Sequence, residues 1–305
     1  CNGFGILFKT RDKKVDMKVS LVIVAYKNGD ILLDCLNSIE KYNDLKDELE
    51  VIVVDNSPVN ERVESFVKQS SIQNIQYIPS DNKGFGAGNN VGAKISQGEV
   101  IGFINPDIVL IEPIFKQIYS DFKKNSNLAI EGIRLLKKNL SPGYSFYFEY
   151  NTKVWRNWTI KLWNKLGRFN EKNMFITGAN LFVRKDMFMN ADMFDENIFM
   201  YFEESDVTSR IKSIYPHAEV KFNKGLKMIH LEGGCTDASK ERIKMSWDSM
   251  IYYGKKNHLD YKKKVRFEYG YYKFKKCIFS LISQSKKKEY TELLEFLKQN
   301  YPEYL

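Results

Sequence analysis

Carboxylates cluster late in the chain, at a point where acid–base chemistry could be built. Glu203, Glu204 and Asp206 follow the apolar and aromatic run FMYF at 199–202. Apolar residues recur at helical spacing from Val207 onward, so the carboxylates stand at a predicted helix start. The helix dipole alone favours acids at such a position. The preceding apolar run predicts in addition that at least one acid is buried, with its pKa raised toward the range of a general base.

Another carboxylate closes an apolar run near the middle of the chain. Residues 100–104 (VIGFI) stop abruptly at Asn105, Pro106 and Asp107, which predicts a buried strand that delivers one carboxylate to its C-terminal edge. In open α/β sheets ligands bind at that edge. His230 closes a later apolar run, and from the residues alone it fits either a satisfied core histidine or a ligand.

The elements that position these side chains read as an α/β fold. Continuous apolar runs rich in β-branched residues predict buried strands at 19–26 and 50–55, with a helix between them. Strand, helix and strand with short joints form a βαβ unit. Ala25 and Tyr26 end the first of these strands, and Asp55 ends the second.

A glycine-rich segment follows a third predicted strand at 75–78. Residues 81–90 (DNKGFGAGNN) form a predicted glycine-rich loop. It fits either close backbone approach to a phosphate or sugar, or a flexible loop that caps a helix starting near Asn89. The dinucleotide fingerprint GxGxxG is absent. Further predicted elements are a helix at 113–122 and strands at 128–135, 174–183 (interrupted at Gly178), 218–222 and 226–230.

Length and composition predict one large α/β domain with an appendage among the 305 residues. We assign 1–17 to an N-terminal lead-in, 18–236 to the main domain with an aromatic-rich insertion at about 137–172, and 237–305 to a basic, aromatic, mainly helical region. No apolar run approaches the roughly 20 residues that cross a bilayer. The four cysteines show no CxxC spacing, which fits a reducing cytoplasm.

The net charge of +9 is concentrated near the C-terminus, where residues 255–305 hold thirteen Lys and Arg against six Asp and Glu. Two explanations are favoured: helices that pack with a solvated basic face, and contact with the inner face of the plasma membrane through 247–288. Nucleic-acid binding is the least favoured. No recognised nucleic-acid module is present, so no nucleic-acid partner is expected.

Six segments of the sequence recur together in one enzyme family. They are VSLVIVAYKN at 19–28, EVIVVDNS at 50–57, NKGFGAGNN at 82–90, INPD at 104–107, ITGANLFVRKDMF at 176–188, and FDENIFMYFEESD at 194–206 with a later IHLEGG. In this order and spacing, over roughly 18–236, the chain resembles family 2 glycosyltransferases, most closely the bacterial rhamnosyltransferase-like branch.

The resemblance implies a GT-A fold, a nucleotide-binding α/β sandwich with a mixed central sheet. It also implies inverting transfer of rhamnose or another hexose from a UDP- or dTDP-sugar to a hydroxyl of a glycan or lipid-linked acceptor, in bacterial surface polysaccharide synthesis. The donor-binding residues it implies are Ala25, Tyr26, Asp55 (for the pyrimidine), Asn82, Gly84, Gly86, Asn89 and Asn105.

The same resemblance assigns catalytic roles. Asp107 and His230 would hold Mn²⁺ or Mg²⁺, the cations suited to carboxylate, imidazole and diphosphate oxygens. Glu204 would be the base that deprotonates the acceptor, while Glu203 or Asp206 would hold the acceptor or the local structure.

The chain departs from the family pattern at two places. Asn105 replaces the first aspartate of the DxD motif, so metal binding is expected to depend on nucleotide. The sequence Glu-Glu-x-Asp replaces Glu-Asp-x-Asp at the base. These changes leave open a catalytically silent nucleotide-sugar-binding protein, while a sugar nucleotidyltransferase is the less favoured alternative because its glycine- and arginine-rich signature is absent.

Overall fold

The computed structural model describes residues 7–8, 16–150, 152–231 and 240–305. Most of the predicted lead-in at 1–17 and the predicted domain end at 232–236 lie outside these residues. The chain divides into two compact units. The first comprises Cys1–Glu149, Trp155–Phe199 and Glu203–Thr236, and the second comprises Tyr150–Val154, Met200–Phe202 and Asp237–Leu305.

Strands and helices alternate along most of the chain. In order they are β1 (Leu7–Phe8), β2 (Val19–Ala25), α1 (Gly29–Tyr42), β3 (Leu49–Asp55), α2 (Glu64–Gln69), β4 (Ile75–Pro79), α3 (Phe85–Ile95), β5 (Val100–Ile104), β6 (Ile108–Leu110), α4 (Phe115–Lys124), β7 (Leu128–Leu136), β8 (Phe146–Phe148), α5 (Val154–Leu166), β9 (Met174–Ile176), β10 (Asn180–Arg184), α6 (Lys185–Asn190), α7 (Glu203–Ile214), β11 (Glu219–His230), α8 (Lys240–Lys256), α9 (Tyr261–Ser280) and α10 (Gln284–Asn300).

The first unit is built on a mixed sheet whose strand order, among the described residues, is β1-β4-β3-β2-β5-β10-β7-β11-β6. Strands β4, β3, β2 and β5 run parallel. Strand β10 is antiparallel to both β5 and β7, and β11 is parallel to β7. The predicted α/β fold with a mixed central sheet is therefore confirmed.

Helices cover both faces of this sheet. Leu21 and Ile23 of β2 pack in a cluster with Leu36 of α1, whereas the intervening Val22 packs with Ala93 of α3 on the opposite face. Because successive side chains of a strand point to opposite faces, a strand covered on both sides carries mostly apolar residues at all its positions. This is the physical reason for the continuous apolar runs in β2 and β3.

The glycine-rich segment corrects one prediction. Helix α3 begins at Phe85 rather than near Asn89, so Gly86 and Asn89 belong to a helix and not to a loop. A Cβ on Gly92 would lie 2.4 Å from a methyl of Val22, and one on Gly88 would lie 3.0 Å from Val24. The glycines let α3 approach the sheet closely, and this packing outweighs the roughly 1 kcal/mol that each costs in a helix.

The end of the sheet differs from expectation as well. Residues 219–230 form one strand, β11, with an irregularity between Asn223 and Lys227, where two short strands were predicted. Strand β6, which has three residues, was not predicted; it pairs with β11 so that His230 lies opposite Ile108.

The second unit is helical, as predicted for the C-terminal region. Its core consists of buried side chains of α8, α9 and α10 together with Tyr301, namely Trp247, Met250, Ile251, Val265, Leu293, Leu297 and Tyr301. Across the part of the chain that the structure describes, no helix combines the length and the apolar character required to span a bilayer.

Candidate active site

The carboxyl ends of four parallel strands meet at one edge of the sheet. Ala25 at the end of β2 pairs with Asp55 at the end of β3, and Ile23 pairs with Ile104 at the end of β5. The predicted donor-binding residues Ala25, Tyr26, Asp55 and Asn105 are therefore brought to a common edge.

Asp55 is a fully buried carboxylate at this edge. Its Oδ1 accepts a hydrogen bond from Ser57 N at 2.9 Å, and its Oδ2 accepts from Val63 N at 2.8 Å and from Tyr77 Oη at 2.7 Å. These bonds fix the path of the chain after β3. Its predicted contact with a pyrimidine base stays a prediction.

Asp107, His230 and Asn105 lie together at the same edge. His230 Nε2 is 3.2 Å from Asp107 Oδ1 and 3.5 Å from Asn105 Nδ2. The β6–β11 ladder produces this contact, because His230 pairs with Ile108 and Leu231 N donates to the Asp107 carbonyl at 3.0 Å.

These side chains fit a divalent cation that is shared with a ligand. Two ligand atoms in adjacent octahedral positions on Mg²⁺ or Mn²⁺ lie about 3 Å apart, close to the 3.2 Å between Asp107 Oδ1 and His230 Nε2. No cluster of three or more His, Cys, Asp or Glu side chains with ligand spacing occurs in the described ranges. Within those ranges the Asp107–His230 pair offers one carboxylate and one imidazole, and further ligands would come from diphosphate oxygens and water.

Gly84 forms the N-cap of α3 and holds a tight contact with a distant segment. Its φ is 108°, and a Cβ there would lie 2.4 Å from the carbonyl oxygen of Phe199. Phe85 N donates to the same oxygen at 2.9 Å, while Asn82 Oδ1 accepts from Gly84 N at 3.3 Å. Glycine is required here both for the backbone conformation and for the close approach.

Two buried amide oxygens near the strand edge stay unsatisfied within the described structure. Asn56 Oδ1 and Asn89 Oδ1 have no hydrogen-bond partner there, although Asn89 Nδ2 donates to Phe85 O at 3.0 Å. Helix α3 passes close to Asn56, since a Cβ on Gly88 would lie 3.0 Å from Asn56 Nδ2. Buried acceptors of this kind require a partner such as a ligand or water, which fits the predicted role of Asn89 at the donor.

Glu204 is tied to the sheet edge through the backbone of Gly178. Gly178 N donates to Glu204 Oε1 at 2.5 Å. Asn180, two residues after this glycine, pairs with Ile104, so the same β10–β5 ladder brings Gly178 toward the edge that Asn105 follows. The interruption predicted in the strand at Gly178 is the place where this carboxylate approaches.

The surroundings of Glu204 raise its pKa, chiefly because of burial, with the charge of Glu149 adding to the effect. Glu149 also accepts a hydrogen bond from the hydroxyl of Ser205. The neighbouring Glu203 has its pKa raised by burial and by Glu204, and its Oε2 finds no partner among the described side chains. Glu204 keeps some solvent contact whereas Glu203 is buried, so Glu204 is the carboxylate that a substrate could reach.

Asp206 is engaged in local structure. Its Oδ2 accepts from Arg210 Nε at 2.8 Å, one helical turn later. The same guanidinium donates to the carbonyl oxygens of Ala191 and Met193. This network anchors α7 to the segment that follows α6.

Sequence reasoning missed Glu149 and Asn56 as members of this site. Asn56 follows directly after a strand-ending aspartate, a position that could have flagged it. Glu149 lies in the aromatic segment where hydrophobic periodicity fails, and its place is fixed by strand pairing, since Glu149 N donates to Asn173 O at 2.9 Å. Nothing in the local sequence signals that contact.

The side chains at this sheet edge could support two chemical functions, namely proton acceptance and cation binding. A carboxylate with a raised pKa on a half-buried residue can accept a proton from a hydroxyl. A carboxylate and an imidazole about 3 Å apart can hold a divalent cation against an anionic leaving group.

The sequence matches a known protein family. Residues 20–195 match the family model described as Glycosyl transferase family 2. A poly(ribitol-phosphate) beta-glucosyltransferase of Bacillus spizizenii is 27% identical over 114 residues, which is 36% of this chain and 18% of that protein. The chain thus matches well under two-thirds of the length of this relative.

Solved structures show the same fold at low sequence identity. Staphylococcus aureus TarS 1–349 in complex with UDP-GlcNAc aligns with a TM-score of 0.55 at 17% identity, covering 94% of this chain and 83% of that one. The mannosyltransferase PcManGT from Pyrobaculum calidifontis, in complex with GDP-Man and Mn²⁺, aligns with a TM-score of 0.55 at 11% identity, covering 82% and 66% respectively. The GT-A expectation for the fold is confirmed.

Proposed function

The chain belongs to glycosyl transferase family 2, and from that premise we propose that it is an inverting glycosyltransferase which moves a hexose from a nucleoside diphosphate sugar to an acceptor hydroxyl. One observation carries the proposal. Glu204, held by Gly178 N at 2.5 Å, and the Asp107–His230 pair, 3.2 Å apart, are tied to the same strand edge, where a base and a leaving-group site are both needed.

The donor is proposed to bind across the ends of β2, β3 and β5. Asp55 and Tyr26 would contact the nucleoside, and the unsatisfied Asn56 and Asn89 oxygens would accept hydrogen bonds from the donor or its water shell. Complexes of the structural neighbours with UDP-GlcNAc and with GDP-Man support this class of donor. We favour UDP- or dTDP-sugars, with a uridine or thymidine base recognised beside Asp55.

The leaving diphosphate is proposed to lie at Asp107 and His230, with Asn105 as a neutral neighbour toward ribose or sugar. A divalent cation bound there would neutralise the charge that develops on the diphosphate as the glycosidic bond breaks. The complex of PcManGT with Mn²⁺ supports manganese as one such cation.

Glu204 is proposed to act as the general base. Ionised, its carboxylate would take the proton from the acceptor hydroxyl, whose oxygen attacks the anomeric carbon from the face opposite the diphosphate, which gives inversion. The bond from Gly178 N fixes the Oε1 oxygen of this carboxylate. Glu203 and the Asp206–Arg210 pair would support the helix start from which Glu204 projects.

The acceptor is proposed to be a glycan or lipid-linked chain of a bacterial surface polymer. The name of the Bacillus spizizenii relative, a poly(ribitol-phosphate) glucosyltransferase, makes a polyol-phosphate polymer a specific candidate to test. Rhamnose remains the transferred sugar implied by sequence resemblance.

Transfer and donor hydrolysis by the full chain test the proposal. A panel of UDP- and dTDP-sugars, with Mn²⁺ or Mg²⁺, should yield free nucleoside diphosphate with the wild type. Glu204→Gln should lower the rate by about 10²- to 10⁴-fold, the usual contribution of a general base, while UDP affinity measured by calorimetry stays near the wild-type value. The matched control is Glu64→Gln, which alters an exposed carboxylate paired with Lys68 on α2.

Two outcomes would contradict the proposal in different ways. Nucleotide binding without turnover by the wild type, over the whole donor panel, would favour a silent nucleotide-sugar-binding protein. Equal turnover by wild type and Glu204→Gln would remove Glu204 from the role of base.

A further inference from the structure

The turn between α9 and α10 exposes a cluster of large apolar side chains. Leu281 is 87% exposed, Ile282 72%, Phe274 48% and Ile278 40%. We call residues 274–288 the α9–α10 tip. Scattered exposed apolar residues are ordinary, but four within nine positions form a patch of the kind that marks an interaction surface.

The tip is well anchored, so a loose turn does not explain the exposure. Leu281 N donates to Ile278 O at 3.2 Å, and Ser283 N donates to Phe279 O at 2.8 Å. Ser283 also caps α10 by accepting from Lys286 N at 3.4 Å. Behind the turn the rings of Phe279 and Tyr290 stack at 5.6 Å, which joins the two helices. Leu281 and Ile282 are therefore held outside the packed part of the hairpin.

The charged residues within the tip are all lysines. Between Tyr269 and Lys288 the sequence has six lysines and no Asp or Glu. Three of these lysines, Lys286, Lys287 and Lys288, stand exposed in the first turns of α10. Two such tips would repel each other, which disfavours a second copy of this chain as the partner. A polyanion alone would leave the aliphatic residues without a role.

We propose that the α9–α10 tip docks on an anionic lipid bilayer, with Leu281 and Ile282 inserted at the headgroup boundary and the surrounding lysines on acidic headgroups. An exposed aliphatic turn within a basic surface matches both parts of such an interface. Other large side chains of the wider 247–288 segment are buried, among them Trp247, Met250 and Tyr253. The contact is thus confined to the end of the hairpin and does not depend on the enzymatic activity of the chain.

Vesicle flotation with the full chain tests the proposal. Wild type should float with vesicles made of equal parts phosphatidylcholine and phosphatidylglycerol and stay unbound with phosphatidylcholine alone. Replacing both Leu281→Ser and Ile282→Ser should weaken binding by roughly tenfold or more, because aliphatic burial contributes part of the affinity. Replacing Lys286→Gln and Lys287→Gln should weaken it by roughly 25-fold, since each lysine near an anionic surface is worth roughly fivefold. Added salt should reduce wild-type binding.

Matched variants locate the contact. Leu162→Ser with Leu166→Ser changes two exposed leucines of α5 and should leave flotation unchanged. Lys262→Gln with Lys263→Gln changes two exposed lysines at the start of α9, about 27 Å along the helix from its end at Ser280, and should have a much smaller effect than the Lys286 and Lys287 pair. The circular dichroism spectrum of each variant reports on folding.

Three results would overturn the proposal. One is no flotation of the wild type with anionic vesicles. Another is full binding by the Leu281 and Ile282 variant together with loss in the lysine variant, which would indicate generic attraction to polyanions. The last is a dimer of the wild type in analytical ultracentrifugation without lipid that the Leu281 and Ile282 variant abolishes, which would make a second copy the partner.

Discussion

The backbone N–H of Gly178 contacts the side-chain carboxylate of Glu204 directly. This contact leaves no room for a side chain at position 178. Gly178 N donates to Glu204 Oε1 at 2.5 Å. A Cβ at position 178 would lie 2.7 Å from that same oxygen and 2.9 Å from the ring of Phe85. The carboxylate of the proposed base can occupy this position because residue 178 has no Cβ.

Gly178→Ala is expected to displace the Glu204 carboxylate and reduce turnover. A misplacement on the order of 1 Å can lower a rate by about 10²-fold, so we expect a loss of that size in kcat with nucleotide affinity little changed. Steady-state kinetics with calorimetry of UDP binding check this. Gly143→Ala is the control, since its Cβ would meet nothing closer than 3.4 Å, and an equal loss in both variants would contradict the argument.

The sequence predicted the strands of this edge well because each is covered on both faces. Strands β2, β3 and β5 are mostly apolar along their length, which is typical of parallel strands buried on both faces. The donor-side residues at their ends followed directly from those boundaries. The same reasoning failed for α3, because closely spaced glycines ordinarily disfavour a helix, whereas here Gly88 and Gly92 allow close packing on β2.

Long-range contacts account for the rest of what the sequence could not specify. Asn105 and His230 are 125 positions apart, and their contact depends on strand β6, whose three residues are too few to show periodicity. Glu149 reaches the neighbourhood of Glu204 through the pairing of β8 with β9. Register between segments so distant is set by tertiary packing rather than by local pattern.

Glu149→Gln is expected to shift the pH profile of transfer. Glu204 must be ionised to accept a proton, and burial and the charge of Glu149 both raise its pKa. The rate should therefore rise with pH through that raised pKa, and removal of the Glu149 charge should move this rise to lower pH with the plateau rate little changed. A pH series of kcat measures it. Glu48→Gln, which alters a partly exposed carboxylate paired with Lys18, is the control. A rise that stays in place or moves to higher pH would refute the coupling.

Cation binding is expected to require nucleotide. Asp107 is the carboxylate of the pair with His230, and two protein ligands leave most positions of an octahedral ion to diphosphate and water. Calorimetry of Mn²⁺ should show weak binding to the free protein and tight binding in the presence of UDP. Asp107→Asn should weaken the UDP-dependent binding by about tenfold or more, since loss of even an outer-shell partner costs about 10- to 100-fold. Tight Mn²⁺ binding to the nucleotide-free wild type would contradict this expectation.

Glu131 is expected to make the protein less stable as pH rises. Burial raises the pKa of this carboxyl to about 7, with Lys221 opposing the shift and Asp121 adding to it. In the unfolded chain the pKa returns to its ordinary value of 4.5, so the folded state binds the proton more tightly. The stabilising contribution is therefore fully present below the unfolded pKa and is lost as pH rises through the folded one. The whole shift corresponds to roughly 3 kcal/mol.

Glu131→Gln is neutral at every pH and tests this expectation. Its free energy of unfolding in urea, relative to that of the wild type, should increase between about pH 5 and about pH 8 by up to that amount. Glu219→Gln, which alters an exposed carboxylate bonded to Asn125, should show a difference that stays nearly constant with pH, and the same constancy in Glu131→Gln would mean that Glu131 is ionised throughout.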